Sequence, residues 1–311
     1  MTQEIMQVSP LPPFMMNALQ EADYIVHDHT HIKDPGALVK VTALVGTGAA
    51  VVDKKLLSML PNVKLIAICG VGYDGVDVVT AKEKGIVVTH TPGVLTDDVA
   101  DLALGLVLSI GRRIPQADRF VRNGDWVNDT FPMTRKVTGA RLGVVGMGRI
   151  GRAIAKRAAA FDMRIAYTGR EAKADVPYAF YKTATALAAE VDYLVVAVPG
   201  GDGTKNLIGA SVLQALGPKG YLINVARGSV VDQPVLVQAL KGKAIAGAAL
   251  DVFWDEPIVD PELRRLPNVV LTPHIASATD ETRQAMAALT LDNLQAFYER
   301  RALPTLVPEC Q

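Results

Sequence analysis

The stretch LGVVGMGRIGRAIAKRAAAFDMRIAYT (residues 142–168) decides the fold class of this chain. Its apolar beginning predicts a buried strand, and residues 164–168 predict a second strand. Between them, Ile150, Ile154 and Ala158 recur at helical spacing, which predicts a helix of about three turns. A strand, a helix and another strand in so few residues predict two parallel strands joined by a right-handed crossover.

The same alternation runs through most of the chain. A helical stretch at 96–124, with a break expected at Pro115, separates two series of such units, and another at 280–301 lies near the end. Further strands are predicted at 41–46, 63–69, 86–90, 193–199, 221–227, 244–253 and 269–275. Repeated units of this kind build parallel sheets with helices on both faces, so we predict an α/β protein with two doubly wound lobes.

The composition narrows the class of protein. The chain has 311 residues, of which 50% are hydrophobic, enough for two domains. Lys plus Arg and Asp plus Glu both number 32, so no global attraction to nucleic acid or anionic membranes is expected. We find neither a secretory signal nor an apolar run near the ~18 residues that span a bilayer. Two distant cysteines, Cys69 and Cys310, favour reduced thiols, and together these features predict a cytoplasmic protein.

The G-x-G-x-x-G pattern of a dinucleotide loop occurs twice, at 70–75 and 146–151. Because a strand leads into the second copy and a good helix follows it, we assign the cofactor to 146–151. The first copy precedes a short helix whose start carries Asp74 and Asp77, and these would repel a phosphate. Two interpretations of it stay open: a nest of N–H groups for a small anion, or a tight turn without a ligand.

The residues after 164–168 bear on the choice between NAD and NADP. They read Gly169-Arg170, and no carboxylate occurs until Glu171. An acid at this place would bind the ribose hydroxyls of NAD, whereas an arginine pairs with a 2′-phosphate. The sequence therefore predicts NADP(H), with a solvent-facing Arg170 as the alternative.

Three polar residues lie at or near the carboxyl ends of three successive predicted strands: Arg227, Glu256 and His274. Carboxyl ends of parallel strands share one sheet edge, so we expect the three side chains there together. Arg227 would orient a carboxylate and polarise a ketone, and His274 would donate a proton, with Glu256 fixing the ring and tuning its proton affinity. Each has a plainer alternative: an Arg227–Asp232 ion pair, an exposed loop at Glu256, and a capping or hydrogen-bonded buried histidine at His274.

Six motifs carry a resemblance that covers nearly the whole chain. GVGYDGVD, GMGRIGRAIA, YTGR, NVARGSVVD, LDVFWDEP and TPHIASAT occur in this order. Together they resemble the D-2-hydroxyacid dehydrogenase family, and most of all its NADPH-dependent glyoxylate/hydroxypyruvate reductases. The resemblance implies two Rossmann-like lobes, with a cofactor lobe at 98–283 inserted into a substrate lobe made of 1–97 and 284–311. It also implies hydride transfer from NADPH to a small 2-oxo acid, and a homodimer formed through the cofactor lobes.

The resemblance also assigns roles to residues. It makes Arg227, Glu256 and His274 catalytic, places the substrate on Val71, Gly72, Arg227 and His274, and implies no metal. The implied cofactor contacts are Thr96, Gly146, Met147, Gly148, Arg149, Ile150, Gly151, Thr168, Gly169, Arg170, Val198, Pro199, Thr204, Val225, Ala226, Asp251 and Ala276. One segment departs from the family: 200–203 reads GGDG where many relatives have Leu-Thr-Pro, so we expect a more mobile loop and a less certain contact from Thr204.

Some features and rival functions stay open. His27, His29 and His31 could share one face of a strand and bind a metal, but a solvated strand end is the favoured interpretation. Trp126 is interpreted as a packing or interface residue. The rival functions are a dehydrogenase for another, bulkier 2-hydroxy acid and a non-catalytic dinucleotide sensor.

Overall fold

A computed structural model describes residues 3–30 and 35–311 of the chain. The chain divides into two compact units. The first unit comprises Met1–Leu95 and Ala278–Gln311, and the second unit comprises Thr96–Ser277. The first unit is therefore assembled from both ends of the chain, and the second is one continuous insertion.

The first unit contains a five-stranded sheet in the order β2-β1-β3-β4-β5. Every neighbouring pair of strands is parallel. The strands are β1 Glu4–Gln7, β2 Ile25–Asp28, β3 Ala43–Thr47, β4 Leu65–Cys69 and β5 Val87–Thr89, and the connecting helices are α1 Pro13–Glu21, α2 Pro35–Lys40, α3 Lys54–Met59 and α4 Val78–Glu83. All five residues of β4 are buried, as expected of a strand covered on both faces.

The second unit contains a seven-stranded sheet in the order β12-β11-β10-β9-β6-β7-β8, again parallel throughout. Its strands are β6 Arg141–Val145, β7 Arg164–Thr168, β8 Ala179–Tyr181, β9 Tyr193–Val196, β10 Tyr221–Asn224, β11 Gly247–Leu250 and β12 Val269–Leu271. Its helices are α5 Thr96–Arg112, α6 Ile114–Arg122, α7 Arg149–Ala159, α8 Ala184–Ala188, α9 Ala210–Leu216, α10 Gln233–Lys241 and α11 Pro261–Arg265. The strand order reverses beside β6, and the crevice at such a switch point is where open α/β sheets bind ligands.

The predicted fold class, two parallel α/β lobes with one inserted into the other, is confirmed. The long helical stretch is divided at Arg113, which has a left-handed backbone (φ +53°), two residues before the expected break at Pro115. Pro115 instead lies in the first turn of α6, where its missing N–H costs no hydrogen bond. The terminal helix α12, Asp280–Tyr298, returns the chain to the first unit. Among the residues described, no helix has both the length and the apolar character that a bilayer crossing requires.

One partly buried carboxylate, that of Asp192, binds two arginines at the start of the second-unit sheet. The Asp192 side chain, 13% exposed, accepts hydrogen bonds from Nη2 of Arg135 (2.7 Å) and from Nη2 and the backbone N of Arg141 (both 2.9 Å). Burial alone would raise the pKa of Asp192, but hydrogen bonds from Arg141 and the charges of both arginines outweigh it and lower the pKa. The carboxylate is therefore ionised in the folded protein well into the acid range.

We predict that Asp192→Asn lowers the free energy of unfolding at neutral pH by about 2 kcal/mol, because two guanidinium groups lose their partner. Since the folded-state pKa is lowered, this contribution exists above the unfolded-state pKa and is lost as the pH falls through the folded-state value. Urea unfolding of wild type and variant, repeated at decreasing pH, checks this. Asp202→Asn, on an exposed loop, is the matched control, and a difference between wild type and Asp192→Asn that did not change with pH would contradict the prediction.

Candidate active site

The second glycine motif forms the turn between β6 and α7. Gly146 has φ +101°, a conformation that favours glycine, and its N–H donates to the Thr168 carbonyl (2.9 Å). A Cβ at Gly151 would lie 2.0 Å from the Gly146 carbonyl oxygen, so α7 packs directly on the turn. Beside Gly148 the space is open to 4 Å, and the first turn of α7 has no acidic residue. This turn thus presents helix N–H groups to open space with no carboxylate to repel an anion.

The arginines around this turn fall into two groups. Arg152 pairs with Asp175 (2.9 Å), and Arg157 pairs with Asp97 and Asp101. Arg149 and Arg170 are exposed. Within residues 3–30 and 35–311, no acidic side chain is recorded as a partner of either. Arg149 lies within the glycine turn at the start of α7, and Arg170 lies two residues after Thr168, whose carbonyl accepts from the Gly146 N–H of that turn.

Arg227 is held by a turn that the Asn224 side chain closes. β10 ends at Asn224, which is 1% exposed; its side-chain oxygen accepts from Ala226 N–H (3.0 Å), and its Nδ2 donates to the Arg227 carbonyl (2.9 Å). The side-chain amide therefore replaces the hydrogen bonds that the ladder would have supplied, and the strand stops three residues before the predicted end. Asp232, the alternative partner of Arg227, accepts from Val235 N–H (3.3 Å) and caps α10.

Gly228 holds the same turn from its other side. A Cβ there would lie 2.0 Å from both the carbonyl carbon and the carbonyl oxygen of Phe253. No side chain fits between these two backbones, so the Arg227 turn packs directly against the segment that leads to Glu256.

Glu256 and His274 form a hydrogen-bonded pair, with Nδ1 and Oε2 separated by 2.6 Å. The second carboxylate oxygen of Glu256 accepts from Phe253 N–H (2.9 Å). Burial acts to raise the pKa of Glu256, but His274, the Phe253 N–H and the charge of Arg227 together lower the pKa. A carboxylate can only accept, so Nδ1 carries the proton. The imidazole is 47% exposed, and its other nitrogen, Nε2, is the one not bound to Glu256.

The backbone around His274 is fixed by Asp251, which follows β11 and is fully buried. Its carboxylate accepts from the Thr272 hydroxyl (2.6 Å), Ile275 N–H (2.9 Å) and Ala276 N–H (3.0 Å). Its carbonyl accepts from His274 N–H (2.9 Å), and His274 has φ +54°. Burial raises the pKa of Asp251, while these hydrogen bonds act in the opposite direction. Asp251 thus aims His274, and its contact with a cofactor stays a prediction.

The structure brings Arg227, Glu256 and His274 to one edge of the second-unit sheet, where Glu256 bonds the imidazole and senses the charge of the guanidinium. Asn224, Gly228 and Thr272 were missed by the sequence analysis. An asparagine at the end of the apolar run YLIN, and a threonine before the Pro-His turn, are signals that could have found two of them.

The other predicted cofactor residues lie on the same unit. Thr96 begins α5, Val198 and Pro199 follow β9, and Val225 and Ala226 lie in the Arg227 turn. The Thr204 hydroxyl donates to the carbonyls of Pro199 (2.7 Å) and Gly201 (3.2 Å) and so closes the GGDG loop. Their contacts with a cofactor, and the mobility of that loop, stay predictions.

The first glycine motif, in the first unit, is a turn packed on backbone. A Cβ at Gly75 would lie 2.2 Å from the Ala50 carbonyl oxygen, and Asp77 caps α4 by accepting from Thr80 N–H (2.9 Å). Over the described ranges, no acceptor is recorded for the N–H groups of Val71 and Gly72. That these two N–H groups bind a small anion stays a prediction.

Two of the three clustered histidines, His27 and His29, have different hydrogen-bond partners. His27 Nε2 bonds Glu4 (2.8 Å), and His29 Nδ1 bonds the Gln7 carbonyl (3.1 Å). His31 lies outside the described residues.

The chain is similar to a known protein family and to several of its characterised members. Residues 104–276 match the family model "D-isomer specific 2-hydroxyacid dehydrogenase, NAD binding domain". Glyoxylate/hydroxypyruvate reductase A of Arabidopsis thaliana is 44% identical over 307 residues, covering 97% of this chain and 98% of its own. Hydroxyphenylpyruvate reductase of Plectranthus scutellarioides is 47% identical over 267 residues, 86% of this chain and 85% of its own. A solved NADPH-dependent glyoxylate/hydroxypyruvate reductase of Sinorhizobium meliloti, with NADP and malonate, superposes with a TM-score of 0.93 at 41% identity, covering 100% of this chain and 98% of that one.

We predict that Gly228→Ala lowers the free energy of unfolding by about 1–3 kcal/mol, because the added methyl group forces two backbones apart. Chemical denaturation of wild type and variant measures this. Gly105→Ala is the control, since a Cβ at that exposed position of α5 meets nothing within 4 Å. Equal stability of Gly228→Ala and wild type would show that the Arg227 turn is not held in this way.

Proposed function

The chain belongs to the family of D-isomer specific 2-hydroxyacid dehydrogenases, and on this premise we propose that it reduces a small 2-oxo acid, glyoxylate or hydroxypyruvate, with NADPH. The family makes it an oxidoreductase with a dinucleotide-binding domain. The observation that carries the proposal is the Glu256–His274 pair at the carboxyl edge of the sheet, with Arg227 beside it. Similar proteins named for glyoxylate and hydroxypyruvate support this choice of substrate.

The second unit fits a dinucleotide. The turn at 146–151 lies at the switch point of the sheet, leaves open space at Gly148 and has no acid at the start of α7. The N–H groups of this turn and the first turn of α7 would hold the pyrophosphate. When bound, the nicotinamide supplies the hydride.

We assign the preference for NADPH to the cations beside the turn. Gly169 and Arg170 follow β7, and no carboxylate lies at that place to receive ribose hydroxyls. Arg170 is exposed, and Arg152 is already paired with Asp175. A guanidinium pairs with a phosphate through two parallel hydrogen bonds, so Arg170 is the proposed partner of the 2′-phosphate.

The proton in the reaction comes from His274. We propose that its ring is protonated on both nitrogens before reduction, with Nδ1–H held by the Glu256 carboxylate. On reduction of the carbonyl group, the Nε2 proton would pass to the carbonyl oxygen, and a neutral ring would remain with Nδ1–H held by Glu256. The lowered pKa of Glu256 keeps this carboxylate ionised, so it stabilises the protonated ring.

Arg227, in the second unit, is the proposed positioning residue for the substrate. We propose that the guanidinium orients the carboxylate and polarises the carbonyl group. For the first unit, the N–H groups of Val71 and Gly72 are proposed as donors to a substrate carboxylate, as the family resemblance implies.

A bulkier substrate is the second candidate, because a relative named hydroxyphenylpyruvate reductase is 47% identical. A panel of 2-oxo acids from glyoxylate to hydroxyphenylpyruvate, compared by kcat/KM with NADPH, decides between them. Absence of turnover with every member would favour a non-catalytic sensor of dinucleotide.

We also propose that the protein works in the cytoplasm as a homodimer. In α6 no residue is buried, and beyond it Trp126 (69%), Val127 (85%) and Met133 (97%) are highly exposed. An apolar surface of this kind suits contact with a second copy. Sedimentation of a monomer at micromolar concentration would contradict the homodimer.

We predict that His274→Ala lowers kcat with glyoxylate and NADPH by about 10²–10⁴-fold, because the reaction loses its proton donor. Loss of NADPH absorbance measures the rate. His29→Ala, in the first unit, is the control and should turn over normally. Near-normal turnover by His274→Ala would reject this role.

We predict that Arg170→Ala lowers kcat/KM for NADPH by about tenfold or more and leaves that for NADH nearly unchanged, since only the former carries the 2′-phosphate. Steady-state rates with both cofactors check this. Arg164→Ala, at the opposite end of β7, is the control. A wild-type enzyme that prefers NADH would overturn the assignment.

A further inference from the structure

A buried histidine, His90, contacts the first glycine turn (residues 70–75) through a backbone carbonyl. His90 follows β5 and is 8% exposed. Its Nδ1 lies 2.9 Å from the Val71 carbonyl oxygen, and its ring meets that of Tyr73 edge-on at 5.3 Å. Because a carbonyl oxygen only accepts, Nδ1 is the donor in this contact.

The next residue makes the equivalent contact one peptide earlier. Thr91 N–H donates to the Gly70 carbonyl (2.8 Å). Consecutive carbonyls of the turn, at Gly70 and Val71, are therefore both held from the end of β5.

A hydrogen bond that fixes the carbonyl of a peptide also fixes the direction of the N–H group in the same peptide. In a planar trans peptide, the C=O of one residue and the N–H of the next point in opposite directions. The Thr91 contact thus orients the Val71 N–H, and the His90 contact orients the Gly72 N–H. Donation to the carbonyl also polarises the peptide and strengthens its N–H as a donor.

His90 is itself fixed by the end of the chain. Its N–H donates to the Thr305 carbonyl (3.2 Å), and its carbonyl accepts from the Thr305 hydroxyl (2.6 Å). Asn293, 1% exposed on α12, brackets Thr305: Nδ2 donates to its hydroxyl oxygen (2.8 Å), and Oδ1 accepts its N–H (3.2 Å). The Tyr73 hydroxyl donates to Glu309 (3.0 Å), so the tail also holds the turn directly.

We propose that His90 is a positioning residue that aims the Gly72 N–H at the carboxylate of the substrate, and that the tail at Thr305 holds His90 in place. The inference rests on the proposed function only in naming the ligand as a 2-oxo acid. His90 contacts the turn through the Val71 carbonyl, so its removal should weaken binding of the acid and spare binding of the cofactor.

The test compares His90→Leu with His90→Asn, whose side-chain amide keeps a donor near the position of Nδ1. We expect His90→Leu to raise KM for glyoxylate about tenfold, the worth of one hydrogen bond, with the Kd of NADPH changed less than about twofold. His90→Asn should restore KM to within about threefold of wild type. A purely structural role would change both constants or neither.

Calorimetric titration with oxalate supplies a measure that needs no turnover. His90→Leu should bind oxalate about tenfold more weakly than wild type, and His90→Asn about as well. If wild type binds oxalate through His90 but reduces no 2-oxo acid, the proposed function falls and this inference stands. If wild type reduces glyoxylate while His90→Leu keeps normal KM and oxalate affinity, the inference is overturned and the function stands.

A second variant guards against misfolding of His90→Leu. Thr305→Val removes the hydroxyl that holds the His90 carbonyl and leaves the His90 ring intact. We expect KM for glyoxylate and the Kd of oxalate to rise about threefold. Unchanged values in a folded Thr305→Val protein would contradict the part of the proposal that concerns the tail.

Discussion

The site depends on one constraint: where parallel strands end, the backbone groups released from the ladder must find new partners. A buried N–H or carbonyl without one costs about 1–3 kcal/mol, so the chain supplies side chains at these points. Asn224 closes the turn after β10, Asp251 binds the turn after β12, and Glu256 accepts from Phe253 N–H. The same bonds that end the strands therefore position Arg227 and His274.

The pKa values of the two acids at the carboxyl edge of the second-unit sheet are set by burial and by their partners. Glu256 is held ionised by His274 and by the charge of Arg227, although burial opposes this. Asp251, fully buried, lies in the opposite situation, because burial raises its pKa. The two acids therefore have different roles. Asp251 fixes the backbone of the turn after β12, and Glu256 is the negative charge that would stabilise a protonated imidazole.

In the first unit, too, hydrogen bonds to released backbone groups fix the shape of a turn. There the released groups are the carbonyls of Gly70 and Val71, and their partners are Thr91 and the His90 ring. In both units, polar groups that bind the backbone of a glycine-containing turn fix the orientation of that turn. They are Asn224 at the Arg227 turn, and His90 and Thr91 at the 70–75 turn. The glycines themselves let backbones approach closely, as Gly75 does against Ala50 and Gly228 against Phe253.

The sequence by itself determined the fold class and that Arg227, Glu256 and His274 share one sheet edge, because periodicity and the ends of apolar runs are local properties. Its assignment of the cofactor to the turn at 146–151 stays a prediction. It overextended the strand at 221–227 and placed the helix break at Pro115, since a propensity does not show that Asn224 or a left-handed Arg113 ends the element first. Only the tertiary structure decided the positioning residues. His90 bonds residues 71 and 305, and residue 305 in turn bonds Asn293. A Cβ added at residue 228 would collide with the backbone of residue 253. Such pairs are far apart along the chain, and they become neighbours only when strands from distant segments are laid side by side.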